Sequence, residues 1–323
     1  MIQHLRYFLS PFLLLVAILA VLKGNYYPIC FMILFNVLTM GGDFLFKEDD
    51  KHFKNPSPLI LNTALYLNLP VLYIFVSMII FIFGDYNSAW YIKSWEYIGV
   101  NIIDVKANIT FIDMFGLLFI TGLNIGTMGT NPGHELTHRK REKFDMFVGN
   151  WLLALSFDCT FAIEHVYGHH KNVGLKEDPA TASREENIYM FIFRATIKAH
   201  KDAWKIEISR LKRASSFPYL FKNRMIQGYL RNIALCLFVF FIGNILGVAI
   251  FIICALFAKA YLETINYVEH YGLVRVPGNP VMPRHSWNSN HVASSALLYN
   301  LNRHSSHHEK TNLKYWELKS YPD

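Results

Sequence analysis

The residues best suited to chemistry in this chain of 323 residues are its histidines, of which there are 14. Random scatter of that many gives fewer than one pair at spacing i, i+4, yet three occur: His134/His138 in H-E-L-T-H, His165/His169 in H-V-Y-G-H-H and His304/His308 in H-S-S-H-H. Four residues is close to one helical turn, so both rings of each pair are predicted to project from one face and converge on one metal ion. His170, His307 and the solitary His270 of N-Y-V-E-H-Y-G bring the candidate ligands to nine. Zinc takes three or four ligands, so this many imidazoles suits two ions; nitrogen ligation by itself is compatible with zinc, copper, iron or nickel. His4, His52, His200, His285 and His291 have no partner at useful spacing and are read as ordinary histidines.

Carboxylates accompany the histidines. Glu135, Glu164 and Glu269 each adjoin a candidate ligand and are expected either to anchor imidazole N–H groups or to pair with nearby Lys and Arg. Asp178-Pro179 reads as a helix N-cap and first helical residue, a role compatible with a place beside the metals. The ferritin-like di-iron template needs two Glu-x-x-His motifs, and only Glu135-Leu-Thr-His138 fits it. H-E-L-T-H taken alone is also the zinc metalloprotease motif with Glu135 as general base, a reading that leaves seven clustered histidines without a role.

The elements that carry these residues are set by composition. Hydrophobic residues make up 53% of the chain and Asp, Glu, Lys and Arg only 17%, against about 25% charged in a soluble domain. Apolar stretches near 5–22, 27–41, 59–83, 111–130, 224–243 and 247–268 approach the roughly 20 residues a bilayer-spanning helix needs, with turns predicted at 24–28 and 243–247. With the N-terminus inside, 25 of the 31 Lys and Arg fall in cytoplasmic segments and three outside. That asymmetry predicts six spans with both ends cytoplasmic and places all nine histidines at the cytoplasmic face or a span end. The net charge of +7 then reflects topology and calls for no nucleic-acid partner. Residues 144–163 are read as a re-entrant or interfacial helix, because basic, histidine-bearing segments flank them on both sides. Asp113 and Asn124 of the fourth span are expected to face the bundle interior, with Asn124 in an interhelical hydrogen bond or lining a channel. The basic run Lys198 to Arg213 suits anionic headgroups or an acidic electron carrier. Cys30, Cys159, Cys236 and Cys254 form no C-x-x-C pair, which excludes a disulfide scaffold, a zinc ribbon and a built-in rubredoxin-type site. The expectation is one all-α, membrane-embedded domain over 1–323 with a histidine-rich cytoplasmic cap.

H-x-x-x-H, H-x-x-x-H-H and H-x-x-H-H are similar to the three histidine boxes of the integral-membrane fatty acid desaturase and hydroxylase superfamily. E-H-V-Y-G-H-H, E-D-P-A, N-Y-V-E-H-Y-G-L and L-N-R-H-S-S-H-H resemble the membrane alkane hydroxylases (alkane 1-monooxygenases) and the related xylene methyl-group monooxygenases. The resemblance implies two iron ions held by the nine histidines, and reduction of O2 with two external electrons. It also implies insertion of one oxygen atom into a terminal methyl group of a hydrophobic substrate drawn from the lipid bilayer. It further implies a separate rubredoxin-type electron carrier with its flavin reductase, and a place in a bacterial inner membrane. Val173-Gly174-Leu175-Lys176 stands where close relatives usually read V-A-T-P, which leaves substrate identity open. Hydroxylation of xylene methyl groups, or hydroxylation or desaturation of fatty acyl chains, are the alternatives within the superfamily.

Overall fold

The computed structural model describes residues 2–46, 48–49, 53, 55–214 and 221–321, so His52 lies outside the described residues. The helices that organise it are α1 (Gln3–Lys23), α2 (Tyr27–Leu45), α3 (Pro58–Phe83), α4 (Phe111–His138), α5 (Lys143–Ala154), α6 (161–172), α7 (Ile188–Arg213), α8 (Arg224–His270) and α9 (His304–Glu309). Among the described residues there is no strand, and α1, α2, α3, α4 and α8 are the helices long and apolar enough to cross a membrane.

A straight α8 of 47 residues would reach about 70 Å, more than twice the hydrocarbon thickness of a bilayer. Instead the helix breaks at Asn244 (φ 57°, ψ −159°) and folds back. Leu235 and Val239 of the outgoing limb meet Phe251 of the returning limb beside Tyr73. Arg231 donates to Asn150 at 2.9 Å, and Lys259, on the other limb, reaches Asp158 at 2.7 Å. Gly243 seats this turn on the end of α3: a Cβ on Gly84 would lie 2.5 Å from the Gly243 Cα. The turn expected at 243–247 is therefore present.

Asp113 does not sit deep in α4 but at its start. Its carboxylate accepts from Thr110 N at 3.0 Å, Tyr26 N at 3.1 Å and Ile29 N at 3.3 Å, tying the first turns of α4 and α2 together. Asn124 is buried, but its amide has no hydrogen-bond partner, so the expected interhelical bond is not formed. Beyond it α4 widens into a π-helical turn over Ile125–Thr130, just before Pro132, whose missing N–H interrupts the regular ladder. The helix continues to His138, eight residues past the expected end of the span.

The segment 144–163 is not one helix. The twelve residues of α5 end at Ala154, about 18 Å and too short to cross a bilayer. The chain then reverses through Phe157, at φ 55°, into α6. Behind α6, the buried Glu207 pins α7 to α8, accepting from Arg210 at 2.6 Å and from Arg224 N at 2.8 Å. Burial opposes its charge, but hydrogen bonds from Arg210 and Arg224 prevail and lower its pKa to about 2. A depressed folded pKa stabilises fully above the unfolded value, and that contribution is lost as pH falls through the folded value. Thermal unfolding in detergent should show the native protein losing about 1–2 kcal/mol more than Glu207→Gln between about pH 6 and pH 2, the partly exposed arginines screening the effect.

Candidate metal centre

The nine histidines come from four separate elements and meet in two groups. His134 and His138 of α4, His165 and His170 of α6, and His307 of α9 form one; His169 of α6, His270 at the end of α8, and His304 and His308 of α9 form the other. Within each group one ring nitrogen per residue lies within 4.8 Å of all the others. In the first group His134 Nε2 is 2.9 Å from both His307 Nε2 and His165 Nε2, which is 3.0 Å from His170 Nε2. In the second, His308 Nε2 is 3.2 Å from His169 Nε2 and 3.0 Å from His304 Nε2, which is 3.1 Å from His270 Nε2.

This grouping corrects the spacing argument. His134/His138 and His304/His308 share a group, but His165 and His169 are divided. The reason is local: residues His165–His169 form a π-helical turn, whose hydrogen bonds run i to i+5, so residues five apart share a face. His165 is accordingly joined by His170. His307, between its two α9 neighbours, points the other way into the first group.

The donor set fits metal. Bonds of about 2.1 Å from nitrogen to a metal put neighbouring donors about 3.0 Å apart in an octahedron and 3.4 Å in a tetrahedron, and the close separations given above fall at or near the octahedral edge. Tautomers agree. His169 Nδ1 donates to Asp178 at 3.0 Å and His270 Nδ1 to the carbonyl of His285 at 3.3 Å, so both Nε2 lone pairs face inward. Burial, reinforced by neighbouring imidazoles, holds His165, His170, His304 and His308 well below the ordinary histidine pKa; burial and then His169 lower His307 to about 3. These rings are neutral, as ligands must be.

The acidic candidates separate into different roles. Asp178 is not a helix N-cap: α7 starts at Ile188 with Asn187 as its cap, and the buried Asp178 accepts from His169, Ala180 N and Thr181 Oγ1. Burial opposes its charge, while His169 and these hydrogen bonds hold the carboxyl below the usual range. Glu135 pairs with Arg139 at 2.7 Å and accepts from Tyr315 N, so it binds no imidazole and is not free to act as a protease general base. Glu164 makes no hydrogen bond to an imidazole among the described residues either; its Oε1 is buried and unpartnered, and burial with Asp178, Asp202 and Glu263 nearby raises its pKa well above normal. Glu269 Oε2 lies 3.2 Å from His304 Nε2, at the edge of the second group. The remaining described histidines have local partners: Ser57 N for His4, Tyr229 for His200, Met282 N for His285 and Ser289 for His291.

Sequence reading missed Arg275. Its buried guanidinium donates to the carbonyls of Lys171, Val173 and Asn279, fixing the chain that leaves His170, and no local motif announces it. A cavity of about 250 Å³ lies against both groups, touching His134 and His165 on one side and His304 and Glu269 on the other. Gly126 and Tyr261 close its wall so tightly that a Cβ on Gly126 would come within 2.8 Å of the ring. The exposed Val268 and Trp287 stand at its margin.

Comparison with known proteins gives this geometry a context. Residues 111–321 match the family described as fatty acid desaturase. The chain is 31% identical over 314 residues to an alkane 1-monooxygenase of Pseudomonas putida, covering 93% of this chain and 71% of the relative. It is 33% identical over 283 residues to alkane 1-monooxygenase 1 of Alcanivorax borkumensis, covering 85% of this chain and 62% of that protein. It is 31% identical over 186 residues to the xylene/toluene monooxygenase hydroxylase component XylM of Pseudomonas putida, covering 58% and 50%. The matched region contains every histidine of both groups. The protein is thus a multi-pass membrane protein of the fatty acid desaturase superfamily and belongs to its membrane alkane hydroxylase (alkane 1-monooxygenase) family.

Proposed function

We propose that the protein is a non-haem di-iron monooxygenase that hydroxylates the terminal methyl group of medium- or long-chain alkanes. One iron would be held by His134, His138, His165, His170 and His307, the other by His169, His270, His304 and His308. The observation that carries this reading is the division of nine imidazoles into groups of five and four around a cavity that touches both. Iron, when bound, supplies the capacity to activate O2 for insertion of one of its atoms into a C–H bond. The chain's own part is positioning and exclusion of water. Phe161 and Tyr261 wall the cavity with Leu298, Asp178 holds the proton of His169 on Nδ1, and Glu269 lines the same cavity 3.2 Å from His304 of the second group. The apolar margin at Val268 and Trp287 suits a substrate that partitions into lipid.

In this reading the two limbs of α8 cross separately, making six spans in one domain over 1–323. Both termini and the metal centre would lie on the cytoplasmic side of a bacterial inner membrane, consistent with the Lys and Arg distribution. A rubredoxin-type carrier and its flavin reductase deliver the electrons. The test is metal analysis of the purified membrane protein, then incubation with octane, O2, rubredoxin and reductase. Two irons per chain and 1-octanol are expected; one zinc without iron, or an alkene without alcohol, overturns the proposal. Asp178→Asn should weaken metal retention about 10- to 100-fold in chelator competition, because an amide can present its NH2 to His169 and reverse the tautomer; Asp178→Glu should lose less.

A further inference from the structure

A strongly cationic concavity lies away from the metal cavity, between the start of α7, the loop at 174–184 and the chain that follows His270. This groove of about 820 Å³ is lined by Lys176, Arg184, Arg194, Lys198, Arg284 and His285, with no Asp or Glu in its described wall. Arg194 is engaged by Glu186 at 2.6 Å and Lys198 by Asp202 at 3.4 Å. Lys176, Arg184 and Arg284 are exposed and have no carboxylate partner among the described residues. Three uncompensated cations around one concavity repel each other and favour an anion between them.

The rims identify the kind of anion. On α7, Tyr189, Phe193 and Ile197 recur every fourth residue, and with Met190 they form a stripe more than half exposed. Across the groove, Val274 and Val276 are equally bare, and Leu175 and Leu273 line the wall beneath. The groove also begins two residues after His270, where the apolar α8 ends. An amphipathic helix with basic residues beside an exposed apolar stripe is the pattern of a segment lying in a membrane interface. A soluble acidic protein would meet bare aromatic and aliphatic side chains before it met the cations. A phospholipid satisfies both, its phosphate in the groove and its acyl chains along the rims.

We infer that this groove seats the headgroup of an anionic phospholipid from the leaflet that faces the metal centre, with Lys176, Arg184 and Arg284 as its charge contacts. The inference goes beyond the hydroxylase reading and is tested without turnover. The full-length protein, reconstituted in phosphatidylcholine nanodiscs, is titrated with phosphatidylglycerol and bound lipid is counted by native mass spectrometry. Each cation near the membrane surface contributes about fivefold, so the native protein should prefer phosphatidylglycerol over phosphatidylcholine by on the order of a hundredfold. Lys176→Gln/Arg184→Gln/Arg284→Gln should lose that preference, whereas Lys201→Gln/Lys205→Gln/Lys212→Gln, which removes equal charge elsewhere on the same side, should keep it. Single replacements, each costing about fivefold, cover the case in which the triple variant does not fold. Phe193→Ser/Ile197→Ser should weaken lipid binding but not that of soluble glycerol phosphate. The inference is overturned if the native protein shows no preference or if both triple variants lose it equally. It is equally overturned if glycerol phosphate binds as tightly as the lipid, or if the groove variant loses an acidic carrier protein while retaining phosphatidylglycerol.

Discussion

Replacement of His307 by alanine is expected to abolish alkane hydroxylation, by at least about a hundredfold, and to lower bound iron. His307 Nε2 lies 2.9 Å from His134 Nε2, and the ring is buried among four other donors. Truncation leaves an open position that water fills and the remaining imidazoles cannot reach, since each is held by its own helix. His170→Ala should behave alike. The grouping adds a sharper expectation. Iron spectra of the His165→Ala and His170→Ala proteins should report loss at one site, and those of His169→Ala and His270→Ala loss at the other. An α-helical reading of H-V-Y-G-H predicts instead that His165 and His169 fall together. His291→Ala, whose ring bonds Ser289 and belongs to neither group, should leave iron bound, as should His52→Ala. Retained activity in both His307→Ala and His170→Ala refutes the ligand assignment.

The second large effect concerns stability. Lys259 donates to Asp158 and to Glu263, each at 2.7 Å, in a site where both carboxylates are almost fully buried. Lys259→Met removes the cation and leaves two carboxylates facing each other without water. Breaking a buried ionic group in this way costs about 3–5 kcal/mol, so Lys259→Met should unfold many degrees below the native protein in a thermal scan in detergent. Adding Asp158→Asn should restore part of the loss by removing one unpaired charge. Equal melting of Lys259→Met and the native protein would show that the network contributes nothing. Because Lys259 joins α8 to the turn after α5, and α6 follows that turn directly, the same substitution should also reduce iron content.

The spans show how far composition reaches. α1, α2 and α3 follow the apolar runs within a few residues, and the turn near Gly243 was legible from Gly-Asn followed by Gly, because an apolar run about twice the bilayer thickness has to reverse. Arg224, Arg231 and Lys259, charges that fell within predicted spans, were not interpretable from sequence. Their partners Glu207, Asn150 and Asp158 lie 17, 81 and 101 residues away, at separations no local pattern encodes; Glu263, the second partner of Lys259, is the exception at one helical turn. The segment 144–163 misled for a related reason: mean hydropathy does not register that the helix stops at Ala154 and that the chain then turns through a left-handed Phe157.

Residue type and spacing by themselves determined that this chain is helical and membrane-embedded and singled out nine histidines as candidate metal ligands, because burial of apolar runs and the placing of rings about one turn apart are local physics. Tertiary structure alone decided which histidine belongs with which. A π-helical turn shifts the face of α6 by one residue, and α9 and the end of α8 bring in rings from more than a hundred residues away. It also decided that Glu135 and Glu164 do not bind imidazole whereas Asp178 does, since a carboxylate beside a ligand in sequence points wherever its own helix directs it.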